Sequence, residues 1–224
     1  MLLYERLLVI RARRGATPAA DAIEAQRPVV IAGFGRFGQI IVRLLHAKGV
    51  DATVIDHDPG QIELVRRFGY KAYYGDISRI DLLRAAGLER ARLFILAIDD
   101  TATALATAKR VRAEYPQVRI MARVRNRQDV YDFMRLDVPV IVRETFGSAL
   151  DMGEEALKAL GIGAYRARRI VQRFRRHDLE TIRHLYPHHQ DEPTLISKTK
   201  EAREDLARLM RDEGGTPLTD SDWD

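Results

Sequence analysis

Apolar residues along this chain come in short unbroken runs, and each run is followed by a stretch in which apolar and charged positions recur at helical spacing. The runs fall at 29–34, 52–56, 71–75, 93–98, 119–124 and 139–143, with amphipathic stretches at 37–48, 59–68, 78–86, 100–115 and 126–136. Leu93–Ile98 is apolar at every position, which predicts a strand covered on both faces. Gly49, Gly69 and Gly87 stand where predicted helices stop, the usual place for a left-handed residue. Six strands joined by helical crossovers predict an α/β fold built on a doubly wound parallel sheet. After Glu144 the pattern changes to helices alone, at 145–160, about 164–184 and about 193–212, with Gly161 closing the first. Helices outside a complete sheet commonly bury their apolar faces against a partner chain, so a homodimer is expected. The expected organisation is a leader at 1–27, a sheet domain at 28–144, dimerisation and peripheral helices at 145–213 and a disordered tail at 214–224.

The first strand and helix are joined by Gly33-Phe34-Gly35-Arg36-Phe37-Gly38, and the second strand ends on Asp56, 18 residues beyond Gly38, with His57 beside it. Strand, glycine turn, helix, strand, acid is the order of a Rossmann dinucleotide-binding unit. Gly33 permits the tight bend, Gly35 lets backbone approach a pyrophosphate, and Gly38 lets the helix pack closely. The first helical amides then face the phosphates, and Arg36 adds a cation. A carboxylate at Asp56 accepts hydrogen bonds from a ribose diol and repels a 2′-phosphate, so NAD(H) or AMP is expected rather than NADP(H). Ligands of such sheets sit outside the carboxyl ends of the strands. That adds Asp76 and Ile77 after the third strand, and Ile98 and Asp99 after the fourth, to the predicted cofactor residues. Asp76 and Asp100 also precede helical stretches and suit N-caps.

Composition narrows the function. The 224 residues contain no cysteine, which excludes disulfides, thiol catalysis and cysteine-based zinc sites. No apolar run approaches the roughly 20 residues of a membrane span. Met1–Ile10 is apolar but carries Glu5 and Arg6, so neither a signal peptide nor a span is expected there. The net charge of +5 is matched by Tyr165–His184 alone, where seven arginines face Asp178 and Glu180. No nucleic-acid motif accompanies this basic stretch, so no nucleic-acid partner is expected. The acids at the strand ends lack a histidine cluster, and no metal site is expected. A dehydrogenase needs a substrate domain and an acid or base near the nicotinamide. The residues after the sheet are charged helices, and the histidines read as exposed or locally bonded, so no catalytic residue is expected.

The segments IAGFGRFGQI, VIDHDP, YGDISRIDLLRAAG, LAIDD and RETFGSALDMGEEALKALGIG, in this order, resemble the KTN (RCK-type, TrkA-N-like) regulatory domain of Kef glutathione-regulated potassium efflux systems. The resemblance runs from about Pro28 to about Asp178. It implies a non-enzymatic, homodimeric regulator that binds an adenine nucleotide beneath a membrane potassium/proton antiporter, at the cytoplasmic face of the inner membrane. It also implies gating by glutathione or its adducts, with Arg43, Phe68 and Arg143 in the effector pocket. At Asp178 the chain departs from the family's asparagine; this removes an amide donor and adds a charge that repels glutathione's carboxylates. Without the resemblance, Arg143 reads as a partner of Glu144 or Asp151. The alternatives are a Trk-type gating subunit responding to NADH or ATP, and an NAD-dependent oxidoreductase. The antiporter itself lies outside these residues, so the chain reads as a regulatory piece, separately encoded or part of a longer transporter.

Overall fold

A computed structural model of the protein describes residues 27–211. Its elements in chain order are β1 (Val29–Ala32), α1 (Gly38–Ala47), β2 (Ala52–Asp56), α2 (Pro59–Arg67), β3 (Lys71–Tyr74), α3 (Ile80–Ala85), β4 (Leu93–Leu96), α4 (Thr101–Glu114), β5 (Arg119–Val124), α5 (Arg127–Met134) and β6 (Val140–Arg143). The helices α6 (Phe146–Ala159), α7 (Ala164–Leu185) and α8 (Glu192–Arg211) follow. All the pairings are parallel, in the order β3-β2-β1-β4-β5-β6, so this is a doubly wound Rossmann sheet with a helical extension.

Both faces of the sheet are covered, which explains the unbroken apolar runs. Val29 and Ile31 of β1 pack with Val54 and Ile95 against Val42 of α1 and Ile62 and Val65 of α2. Val30 and Ala32 point the other way and pack with Phe94, Leu96 and Ile120 against Leu83 of α3, Ala108 and Val111 of α4, and Phe133 of α5. Each fully buried Val, Leu, Ile or Phe side chain contributes about 1.5–3 kcal/mol.

At two of the boundaries that differ from the sequence reading, a local bond explains the difference. The first strand stops at Ala32 because Gly33 turns to a φ of +99° and gives its amide to Ile55 O at 2.8 Å. The fourth stops at Leu96, although Ala97 still donates to Ala32 O at 2.7 Å. The helix expected at 78–86 shrinks to α3 because Ser78 is held in a turn by Asp76 and the extended Arg79 precedes the helix. The other ends move by no more than about two residues, the ordinary fraying of helix and strand termini.

The helical extension does not depend wholly on a second copy. The last turns of α7 bury Ile182 and Leu185 in the core beside α5, and Tyr186 packs there as well. By contrast α6 buries only Leu150 and leaves Met152 72% exposed. The predicted leader up to residue 26 and the predicted tail lie outside the described residues.

Candidate functional site

Strand order reverses between β1 and β4, and a cleft of about 340 Å³ opens there at the carboxyl ends of the strands. Its walls are the glycine turn, the end of β2, the residues after β4, and the ends of β5 and β6. The three glycines of the turn differ in what they do. Gly33 is left-handed, and a Cβ there would lie 2.9 Å from the backbone of Ala97. A Cβ at Gly38 would lie 2.0 Å from Gly33 O, so the helix starts hard against the turn. A Cβ at Gly35 would meet no protein atom within 4 Å; it would occupy only the open side of the turn. The amides that begin α1 are the obvious anion donors. Phe37, at the N-cap, supplies no side-chain bond to them. Arg36 is exposed beside them.

Asp56 is buried, and both its oxygens are already used by the fold. One accepts the Phe34 amide at 2.6 Å and the other the Asp58 amide at 2.8 Å. It therefore staples the glycine turn to the end of β2. An ionised carboxylate offers about four lone-pair sites, which leaves acceptor capacity for a diol. His57 lies 3.6 Å from Asp56 and is 86% exposed.

The cleft lining takes in Gly33, Gly35, Arg36, Phe37, Asp56, His57, Ile98 and Asp99 of the predicted cofactor residues. Phe34, Gly38, Asp76 and Ile77 stand outside that lining. Phe34 and Ile77 are buried in the two core layers. Asp76 is exposed and accepts the Ser78 amide and hydroxyl, both at 2.8 Å; these bonds hold its carboxyl below the ordinary carboxylate range. Asp100 caps α4 through Thr103 N at 2.7 Å.

One functional candidate escaped the sequence reading. Arg123, near the end of β5, is a buried guanidinium at the floor of the cleft. It donates to Asp99 at 2.5 Å, to Ala97 O at 3.2 Å and to Glu144, and it lies 5.6 Å from the Phe37 ring. Burial opposes its charge, and the bonds to Glu144 and Asp99 more than offset that, raising its pKa. In turn Arg123 holds the Asp99 carboxyl below its usual range. A charge inside the run Met121-Ala122-Arg123-Val124 was the available signal, because a strand covered on both faces must pair any charge it carries.

The predicted effector residues fall into two places. Phe68 precedes edge strand β3 and Arg143 ends edge strand β6, five strand spacings away, or roughly 24 Å. Arg43 is exposed and Phe68 is 61% exposed. No hydrogen bond, ion pair or ring contact among the described residues joins either of them to Arg143 or Asp178. Arg143 and Asp178 do meet. The sequence expectation for Arg143 is corrected: Glu144 turns back to Arg123, and Arg143 pairs with Asp178. The expectation of a repelling Asp178 changes too, because its carboxylate is buried and held by both Arg143 and Arg127. The Arg143 guanidinium also sits 3.8 Å from the centre of the Phe146 ring.

The TrkA-N domain family matches residues 29–144, and the potassium efflux system KefB C-terminal domain family matches residues 148–221. The Kef CTD of Shewanella denitrificans, solved in an AMP-bound form, is 42% identical with a TM-score of 0.67; the match covers 71% of this chain and 97% of that one. The TrkA-N domain of the inner membrane protein ybaL from Escherichia coli is 23% identical, with a TM-score of 0.54 and coverage of 58% and 96%, which shows a shared fold. The GsuK channel bound to NAD shares that fold at 18% identity and a TM-score of 0.52, covering 68% of this chain and 27% of that one.

Proposed function

The chain belongs to the TrkA-N domain family in its Kef potassium-efflux form, and from that premise we propose that it is a regulatory, non-enzymatic domain that binds an adenine nucleotide, NAD(H) or AMP, in the cleft above the glycine turn. The phosphates rest on the amides that begin α1, with Arg36 beside them, and the adjoining ribose takes the spare acceptor sites of Asp56. The observation that carries this reading is Gly35: the fold leaves the space beyond its Cα open, at the mouth of a cleft lined by anion donors on one side and acids on the other. The AMP-bound Kef CTD, at 42% identity, supports the same ligand class.

The domain acts as a homodimer at the cytoplasmic face of a membrane, attached to a potassium/proton antiporter. The outward Ile40 and Leu44 of α1, 57% and 70% exposed, support pairing of two copies. Among the described residues no helix is long and apolar enough to cross a membrane. Glutathione or an adduct binds as a second ligand through Arg43 and Phe68 of one subunit and Arg143 of the other, an assignment that fits their separation within a single chain. At Arg143 it competes with Asp178. To drive a gate from 1:99 to 99:1, the ligands must favour one arrangement of the subunits by about 5.5 kcal/mol. Native mass spectrometry of the purified chain, followed by calorimetry with AMP, NAD and NADH, tests the reading. A folded protein that carries no adenosine compound and takes up none at saturation refutes it.

A further inference from the structure

Arg123 joins three things that a regulator needs to connect: the floor of the cleft, the loop after β4, and the residue just before the N-cap of α6. Its guanidinium holds Asp99 and the Ala97 carbonyl on one side and Glu144 on the other. Its Nε is buried without a hydrogen-bond partner. A buried guanidinium with an unsatisfied donor, lining an open cleft, is an unfinished site. Glu144 closes the β5–β6 ladder through its amide on Val124 O at 2.9 Å, and the next residue, Thr145, is the N-cap of α6. Thr145 makes no side-chain cap bond, so the Glu144–Arg123 pair beside it ties an otherwise uncapped helix start to the cleft.

We infer that Arg123 and Glu144 form a latch that a ligand extending past its first phosphate releases. This rests on nucleotide binding at the glycine turn as proposed above. A mononucleotide such as AMP ends at the turn. A dinucleotide such as NAD continues along the cleft past Ile98 and Asp99, and its second half reaches Arg123. There its phosphate or amide oxygens take the Arg123 donors in place of Glu144. Glu144 is released, and the helix that leaves the sheet loses its tie to Arg123. Both ligands occupy one site, but only the longer one is read by α6. The latch thus makes the length of the nucleotide, rather than its presence, the regulatory signal.

Hydrogen-exchange mass spectrometry on the full chain tests this, following the amides of Glu144 and Ala149–Asp151 and, separately, those of the glycine turn. Saturating AMP and saturating NAD both protect the glycine turn. Only NAD speeds exchange at the start of α6, by about tenfold or more, the weight of one charge-assisted hydrogen bond. Glu144→Gln shows the faster exchange without any ligand, and NAD adds nothing to it; Arg123→Lys, whose compact ammonium replaces the planar fork spread between Asp99 and Glu144, behaves alike. Unchanged exchange in ligand-free Glu144→Gln and Arg123→Lys overturns the latch. Equal effects of AMP and NAD at α6, with the glycine turn protected by both, overturn the ligand reading while leaving nucleotide binding intact. If neither nucleotide protects the turn, nucleotide binding itself fails and the latch falls with it.

Discussion

Replacing glycine by alanine at two positions three residues apart separates ligand binding from folding. At Gly35 the new methyl meets no protein atom within 4 Å, and the backbone is not left-handed. Such a Gly→Ala change restricts the unfolded chain, so it leaves stability unchanged or raises it by up to about 1 kcal/mol. The same methyl stands where a phosphate must approach the turn. Each charge-assisted bond lost there costs about 1.5–3 kcal/mol, which is roughly a tenfold to 150-fold weaker Kd per bond. At Gly38 the methyl lies 2.0 Å from Gly33 O, a backbone atom that cannot rotate away. Overpacking of this kind costs about 1–3 kcal/mol or more, and here the upper end applies because turn and helix must part. Urea melts of the two variants, paired with calorimetry using AMP and NAD, give both readings from the same samples. The expected result is a Gly35→Ala protein as stable as the parent that has lost nucleotide affinity, and a Gly38→Ala protein that is itself destabilised. A Gly35→Ala variant that binds nucleotide as the parent does refutes the assignment of this turn as the phosphate site. One that unfolds instead refutes the claim that the fold leaves this position free.

Three further outcomes are expected. Asp178→Asn removes the carboxylate that pairs with both Arg127 and Arg143; with Arg143 13% exposed and Arg127 41% exposed, the cost is about 3 kcal/mol in a denaturant melt, and calorimetry finds tighter glutathione binding because Arg143 is released. Equal melting of variant and parent means the cluster contributes nothing. The hydrogen bond from Arg123 holds the Asp99 carboxyl below its ordinary value of 3.8. The stability this contributes is whole above that value and is lost as pH falls through the lowered one. With the carboxylate 64% exposed, the loss stays under about 1 kcal/mol, and Asp99→Asn removes this part of the acid limb while leaving the neutral-pH slope unchanged. Leu44→Glu puts a charge on the outward face of α1, where the side chain is 70% exposed, so the thermal midpoint should barely move while light scattering shows a monomer in place of a dimer. A persistent dimer places the interface elsewhere.

The parts of this molecule that local spacing determines were readable from the chain. The glycine turn, its strand and its helix span fewer than 20 residues, and Asp56 follows at a distance set by one helix and one loop. The doubly wound sheet was readable because runs buried on both faces cannot alternate. What escaped was contact between elements distant in the chain. Arg123 and Glu144 stand 21 residues apart and meet only because β6 pairs with β5. Asp178 reaches Arg143 across 35 residues and Arg127 across 51, once α7 lies against α5. Sequence spacing alone suggested nearer partners for Arg143, in Glu144 and Asp151. The fold gives Arg143 a more distant one for an electrostatic reason. Glu144 is already held by Arg123 in the cleft, so the cation at the end of β6 is left to compensate the one carboxylate that α7 buries. Arg143 and Arg123 therefore divide the acids between them, and the neighbours Arg143 and Glu144 face opposite ways, toward α7 and toward the nucleotide cleft. A ligand that displaces either acid acts on the same short segment, which is why nucleotide and effector can be coupled here across less than one turn of chain.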